Sequence, residues 1–193
     1  MSEEKRLVVL NVSARHIHLS QKDLEALFGP GAQLTEMKPL MQPGQFAANE
    51  QVAVIGPKGT FAKVRVLGPV RGDTQLEVSL TDARTLGVAA PVRMSGDVAG
   101  TPGIILEGPK GRVEIAQGVI AAARHIHLDL ATAEKFGLKD KQVVRVKVNG
   151  GRPLTFDDVV VRVSANYAPE CHIDTDEANA ALVKDGTMVE ILG

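Results

Sequence analysis

A mainly β fold built on an internal repeat is what this sequence predicts, and three observations carry that reading. The hexapeptide Ala14-Arg15-His16-Ile17-His18-Leu19 recurs as Ala123-Arg124-His125-Ile126-His127-Leu128, 109 positions later. Short runs rich in Val, Ile and Leu alternate with Gly/Pro-rich turns, which is the spacing of strands. The helical signals are brief and closed by glycine. A chain of 193 residues can bury a core without staples, and either one compact body or two small barrels fits its length.

In chain order, residues 6–13 read as a strand that runs into the first histidine pair. Ser20 then reads as a helix N-cap, with Asp23 in a capping-box-like position, Leu24, Leu27 and Phe28 as the apolar stripe, and Gly29-Pro30 as the stop. Residues 31–50, with Pro39, Pro43 and Gly44, read as loop with short extended pieces. Gln51 to Ile55 and Thr60 to Leu67 are strands joined by Gly56-Pro57-Lys58-Gly59, a turn sequence with proline second and glycine fourth. Thr74 to Ser79 is a strand carrying Glu77. Thr81 is the expected cap of a short helix ending at Gly87. Residues 90–111, including a second Gly108-Pro109-Lys110-Gly111, read as turn-rich connection.

Then the scheme restarts. Val113 to Ala123 reads as a strand leading into His125 and His127. Asp129 caps a helix that ends at Gly137. Gln142 to Val148 and Val159 to Val163 are strands. Thr175 is the expected cap of a last helix, and Met188 to Leu192 is the final strand. Thr81-Asp82-Ala83 matches Asp176-Glu177-Ala178, and in that register Glu77 falls opposite His172. The offset between the halves shrinks from 109 to 95 residues, so the first half carries fourteen extra residues, which the loop around 39–49 accommodates.

Four of the five histidines lie in the two His-x-His pairs. On a strand, residues i and i+2 face the same side, so each pair presents two imidazoles together and turns its isoleucine the other way. One such pair is a weak metal signal; two copies of one hexapeptide are a much stronger one. With the repeat, each half supplies a His-x-His and one further residue, Glu77 or His172. A pseudo-twofold arrangement brings six ligands together, enough for two metal ions. Read alone, Glu77 is a solvated strand carboxylate; the repeat turns it toward ligand. His172 reads equally as a ligand or as a capping or core histidine. Cys171 alternates with it and reads as buried and inert. Arg71, in a Gly/Pro loop, is either solvated or, beside a metal, a bidentate clamp for an oxyanion. Arg15 and Arg124 suit structural ion pairing as well as a substrate role. Arg71-Gly72-Asp73 is a coincidental tripeptide.

Composition excludes several classes. Net charge is −1, with no basic block, and there is no Trp and one Tyr, so neither a nucleic-acid groove nor a base-stacking platform is expected. The single cysteine excludes an internal disulfide framework and suits a reducing compartment. The N-terminus has no signal-peptide pattern, and no apolar run is long enough to span a membrane.

Taken together, Val12–Leu19, Leu67–Arg71, Thr74–Ala83, Pro91–Gly96, Ala123–Leu128 and His172–Ala180 resemble the PduL-type phosphate acyltransferases, also called phosphate propanoyltransferases or phosphotransacylases. The likeness covers nearly the whole chain. It implies a reversible conversion of acyl-CoA plus phosphate to acyl phosphate plus CoA, with propanoyl or acetyl as the acyl group. It implies two small β-barrel domains with short capping α-helices, one made of residues 1–14 plus 123–193 and the other of residues 15–122, with a metal site between them. It implies two divalent ions, taken to be zinc, on His16, His18, Glu77, His125, His127 and His172, and Arg71 as the catalytic, phosphate-binding arginine. Coenzyme A and phosphate are the implied partners, and a homodimer the implied assembly. Microcompartment members carry an amphipathic N-terminal extension. Only ten residues precede Asn11 here, which favours a cytoplasmic enzyme. The competing readings are a metal-dependent acyl-CoA thioester hydrolase using water on the same site, and a non-catalytic metal-binding double barrel.

Overall fold

A computed structural model of the chain describes residues 5–192. In chain order the first half contains β1 (Leu7–Ser13), β2 (His16–His18), α1 (Gln21–Phe28), β3 (Glu36–Pro39), β4 (Phe46–Ile55), β5 (Thr60–Gly68), β6 (Gln75–Glu77), α2 (Leu80–Leu86), β7 (Val92–Arg93), β8 (Ile104–Glu107), β9 (Arg112–Ile115) and β10 (Val119–Ala122). The second half contains β11 (His125–Leu128), α3 (Leu130–Phe136), β12 (Val143–Val148), β13 (Leu154–Val163), β14 (Glu170–Asp174), α4 (Thr175–Ala181) and β15 (Thr187–Leu192). The protein is mainly β with short helices, as the turn density and brief helical signals indicate.

The described residues divide into two units. The first joins the chain up to Ser13, Met41–Pro43 and the chain from Ala123; the second joins Ala14–Leu40 and Gly44–Ala122. In the first unit a closed barrel runs β1-β14-β11-β13-β12-β15. Alternation does the work: along β12 Val144, Val146 and Val148 point inward while Val143, Arg145 and Lys147 are exposed. Those valines meet Leu10, Ile126, Leu128, Val161, Cys171 and Ile173 in one core. In the second unit the sheet runs β7-β10-β6-β2-β5-β4-β8-β9, with β3 on β4, and it curls as a half-barrel without closing. Its ends are a two-residue and a four-residue strand, short enough to offer little edge for pairing with another chain. Ile17, Leu19, Leu24, Leu27, Val64, Val66, Leu76 and Leu86 form its core. Among the described residues, no helix is long and apolar enough to cross a membrane.

The repeat is visible as equivalent pairings. β2 pairs antiparallel with β6, setting His16 opposite Glu77; β11 pairs antiparallel with β14, setting His125 opposite His172. β1 pairs parallel with β14 at Asn11 and His172, and β10 pairs parallel with β6 at Ile120 and Glu77. The strand before each histidine pair therefore belongs to a different unit from the pair itself.

Several local expectations shift. The cap of α2 is Ser79, whose side chain accepts the Asp82 N–H, and not Thr81. The cap of α4 is Asp174, in a complete capping box with Glu177, and not Thr175. In both cases the residue two or one positions upstream is the last in extended backbone, which the N-cap geometry requires. Ser20 caps α1, but the Asp23 carboxylate accepts from Thr74 Oγ1 at 2.5 Å in place of closing a box. Ile104–Glu107, read as connection because glycine and proline crowd it, is strand β8. The expected strand over Val113–Ala123 is two strands broken at Gly118, whose φ is +132°. Residues 31–50 hold β3 and the start of β4, with Met41–Pro43 grouped in the first unit.

The two Gly-Pro-Lys-Gly turns also cap helices. Gly56 N–H donates to Gly59 O at 2.9 Å and Lys58 N–H to Leu86 O at 3.0 Å; Gly108 N–H donates to Gly111 O at 2.9 Å and Lys110 N–H to Leu27 O at 2.9 Å. Each lysine amide thus satisfies a carbonyl at the open end of α2 or α1. A Cβ at Gly56 or Gly108 would strike those same carbonyls, so glycine is required by the close approach.

Candidate functional site

The structure gathers the six candidate ligands into two triads, His16 with His18 and Glu77, and His125 with His127 and His172. Within each triad one ligand atom per residue lies within 4.8 Å of the others. The strand period places them: His16 and His18 share one face of β2 with ring centroids 5.0 Å apart, and His125 and His127 share one face of β11 at 4.7 Å. Ile17 and Ile126 are fully buried in the opposite direction. The antiparallel neighbour then supplies the third member.

Proton positions define the chemistry of each triad. His16 Nδ1 lies 2.9 Å from Ala14 O, and His18 Nδ1 3.3 Å from Leu67 O. A carbonyl oxygen only accepts, so Nδ1 carries the proton and Nε2 presents a lone pair. Those Nε2 atoms face Glu77, at 3.5 Å from Oε2 for His16 and 3.9 Å from Oε1 for His18. Burial alone would raise the Glu77 carboxyl, but His16 and His18 outweigh it and hold the group well below the usual range. Burial, then the positive charges of His16 and Arg71, push His18 down to about 3, so it is neutral. Three electron-pair donors therefore converge. Such a cluster holds either a proton on His16, whose pKa Glu77 raises against the opposing effect of burial, or a metal cation.

The second triad repeats this logic. His125 Nδ1 lies 2.8 Å from Ala123 O, and His172 Nε2 lies 3.0 Å from Glu170 Oε1. Burial works against ionisation of Glu170, but bonds from His172, Gln42 and Asn11 hold it at about 2, so it too accepts. The inner nitrogens, His125 Nε2 and His172 Nδ1, face each other at 3.1 Å. Two imidazole lone pairs at that separation repel unless a proton on one of them or a metal cation sits between them. Zinc ligands at tetrahedral angles lie about 3.3 Å apart, so the spacing fits one. His127 Nδ1 is buried with no hydrogen-bond partner among the described residues, and burial followed by the charges of His125 and His172 pushes this imidazole down to about 3. Both triads thus have the donor chemistry of a divalent-cation site.

These depressed histidines set a pH dependence. Below the unfolded value of 6.5 the unfolded chain gains protons on His18 and His127 that the folded chain refuses until about pH 3. Stability from this pair is therefore present above pH 6.5 and lost as pH falls toward 3. Chelated protein is expected to show a falling unfolding midpoint across that window in thermal scans by circular dichroism.

Arg71 sits beside the first triad. Its amide donates to Leu19 O at 2.9 Å, and its Nη1 donates to Ser95 Oγ at 3.1 Å. Ser95 Oγ in turn donates to Glu77 Oε1 at 2.8 Å, and Gln75 Nε2 donates to the same oxygen at 2.6 Å. Arg15 and Arg124 have structural partners. Arg15 makes a bidentate bond to Asp82 at 2.9 and 2.7 Å and lies 4.2 Å over the Phe61 ring. Arg124 Nε pairs with Glu177 at 3.1 Å, 5.4 Å over Phe156. Each ties the start of its histidine segment to the helix that follows the third member of its triad, α2 after Glu77 or α4 after His172. Cys171 is fully buried in the barrel core, and burial pushes its thiol up to about 12, so it is inert.

Sequence reasoning missed Gln75, Ser95, Glu170, Gln42 and Asn11. Gln75 and Glu170 were within reach, because each lies two residues before a candidate ligand on the same strand face. Gln42 and Ser95 come from distant loops and had no local signal.

Comparison with known proteins agrees with these features. The family model for phosphate propanoyltransferase matches residues 9–184. A phosphate propanoyltransferase of Thermotoga maritima is 55% identical over 186 residues, covering 96% of this chain and 89% of the relative. One from Citrobacter koseri is 53% identical over 178 residues, covering 92% and 84%. One from Listeria monocytogenes is 49% identical over 185 residues, covering 96% and 87%. With a match that spans both histidine pairs, Glu77, Arg71 and His172, the chain belongs to the phosphate propanoyltransferase family of acyltransferases.

Proposed function

We propose that this protein interconverts a short-chain acyl-CoA plus phosphate with acyl phosphate plus CoA, and that it does so with a divalent ion, zinc by ligand type, on each triad. The observation that carries the reading is the pair of equivalent lone-pair clusters, one of them linked through Ser95 to an arginine, in a chain of this family. Phosphate is already anionic, so it needs charge neutralisation and placement more than a base. Arg71 offers a planar, permanently charged fork for its oxygens. Ser95 accepts from that fork and donates to Glu77, which fixes the arginine relative to the first triad. In the reaction a phosphate oxygen bonds to the acyl carbon, the carbon–sulfur bond breaks, and CoA leaves with the electron pair. A bound zinc supplies Lewis acidity toward the thioester carbonyl and a soft acceptor for the thiolate. The buried, neutral His18 and His127 present their lone pairs without a proton to displace.

The test is thiol release from acetyl-CoA and propanoyl-CoA, with and without phosphate, before and after chelation. The two acyl groups differ by one methylene, worth ~1–3 kcal/mol of discrimination, so both are assayed. Release that requires both phosphate and metal is the expected result. Release without phosphate would identify a thioester hydrolase instead. No release by zinc-loaded protein would leave a metal-binding protein without this activity. Light scattering reads the proposed homodimer directly.

A further inference from the structure

Glu170 lies two residues before His172 on β14, and both its oxygens are engaged. Oε1 accepts from His172 Nε2 at 3.0 Å and from Asn11 Nδ2 at 2.6 Å; Oε2 accepts from Gln42 Nε2 at 2.5 Å. Gln42 cannot turn its amide over. Its Oε1 accepts the Ala168 N–H at 3.3 Å and its Nε2 also donates to Ala168 O at 3.0 Å. Glu170 and Gln42 are each 3% exposed, so this carboxylate is removed from water and surrounded by donors. Gln42 arrives on the segment by which the first half of the chain exceeds the second, so it has no counterpart in the repeat.

In the register that sets Glu77 opposite His172, Gln75 stands opposite Glu170. The halves have exchanged the position of their carboxylate. In the first triad Gln75 supports Glu77, a candidate ligand, by a bond of 2.6 Å. In the second, the carboxylate stands behind the candidate ligand and takes its outer proton. One acidic group therefore attends each triad, as a member of the triad in one and behind an imidazole in the other.

We propose that Glu170 is a positioning residue for the His125/His127/His172 centre, fixing the His172 proton on Nε2 so that Nδ1 turns to the cation, and supplying that centre's compensating negative charge. This rests on the metal reading given above. A carboxylate behind a ligating histidine both orients the ring and makes it a better donor, and its loss typically costs 10–100-fold in metal affinity. The effect is confined to one centre, because Glu77 serves the other.

The experiment is zinc binding by the full chain, measured as zinc per chain and by competition with a chromophoric chelator, for wild type, Glu170→Gln and Gln42→Met. Thermal scans check that each variant folds. Wild type is expected to hold two zinc equivalents. Glu170→Gln is expected to weaken one of them by about 10–100-fold and leave the other unchanged. Gln42→Met, which keeps the charge and removes one donor, is expected to weaken the same equivalent by less. Imidazole 15N shifts of the metal-free protein give a second readout: His172 is expected as the Nε2–H tautomer in wild type and as a mixture in Glu170→Gln. Two zinc equivalents of unchanged affinity in Glu170→Gln would overturn the proposal and leave the metal reading standing. A wild type that takes up no zinc would overturn the metal reading itself. The His172 tautomer would then still decide whether Glu170 orients the ring.

Discussion

Under the proposed function, Arg71→Ala is expected to retain the zinc-binding capacity of the wild type and to lose phosphate-dependent turnover. The guanidinium is a permanently charged group tied to the first triad through Ser95, by a 3.1 Å bond to its hydroxyl. Its removal takes away the fork that would neutralise and orient phosphate, while Glu77 keeps its bonds from Ser95 and Gln75. The expected loss in kcat/KM for phosphate is on the order of 100–1000-fold, the range for deleting one preorganised charge-stabilising group. Arg71→Lys restores charge but not the bidentate geometry, so partial recovery is expected. Steady-state assays varying phosphate read the split between KM and kcat. Undiminished turnover at saturating phosphate, with unchanged KM, would remove Arg71 from the mechanism.

Under the proposed function, Glu77→Gln is expected to bind one zinc fewer per chain than wild type and to cut turnover on the order of 1000-fold or more, a Lewis acid being worth several kcal/mol to the reaction. The substitution keeps the shape and removes the charge that holds the triad together. Its amide oxygen can still accept from Gln75 and Ser95, which turns its NH2 toward the His16 Nε2 lone pair and occupies it. The barrel core of the other unit contains none of these residues, so the His125/His127/His172 centre is expected to retain its ion. Metal analysis of the dialysed variant alongside a thiol-release assay checks both halves of the expectation. A variant with full metal content and full activity would remove Glu77 from the ligand set.

Much of the fold was legible because its signals are local. Val143 to Val148 alternate inward and outward with the strand period, and the Gly-Pro-Lys-Gly turns each close between two strands. The duplicated hexapeptide nominated four histidines, and aligning the halves nominated Glu77 and His172. The antiparallel registers do set His16 opposite Glu77 and His125 opposite His172. Where local reading slipped, a neighbour had the stronger claim. Thr81 and Thr175 look like caps, yet Ser79 and Asp174 hold the extended backbone and reach the free amides first.

Strand periodicity, turn positions and the duplicated His-x-His motif could be read from the residues alone, since each depends on residues within a few positions of one another. The tertiary structure alone decided that one sheet closes into a barrel while the other stays open, because closure depends on which distant strands meet, β1 with β14 and β15 in this case. It alone decided that Gln42 reaches Glu170 across 128 residues of chain and that Ser95 joins Arg71 to Glu77. Buried hydrogen bonds between distant segments leave no periodic trace, and their partners are chosen by the packing that excludes water around them.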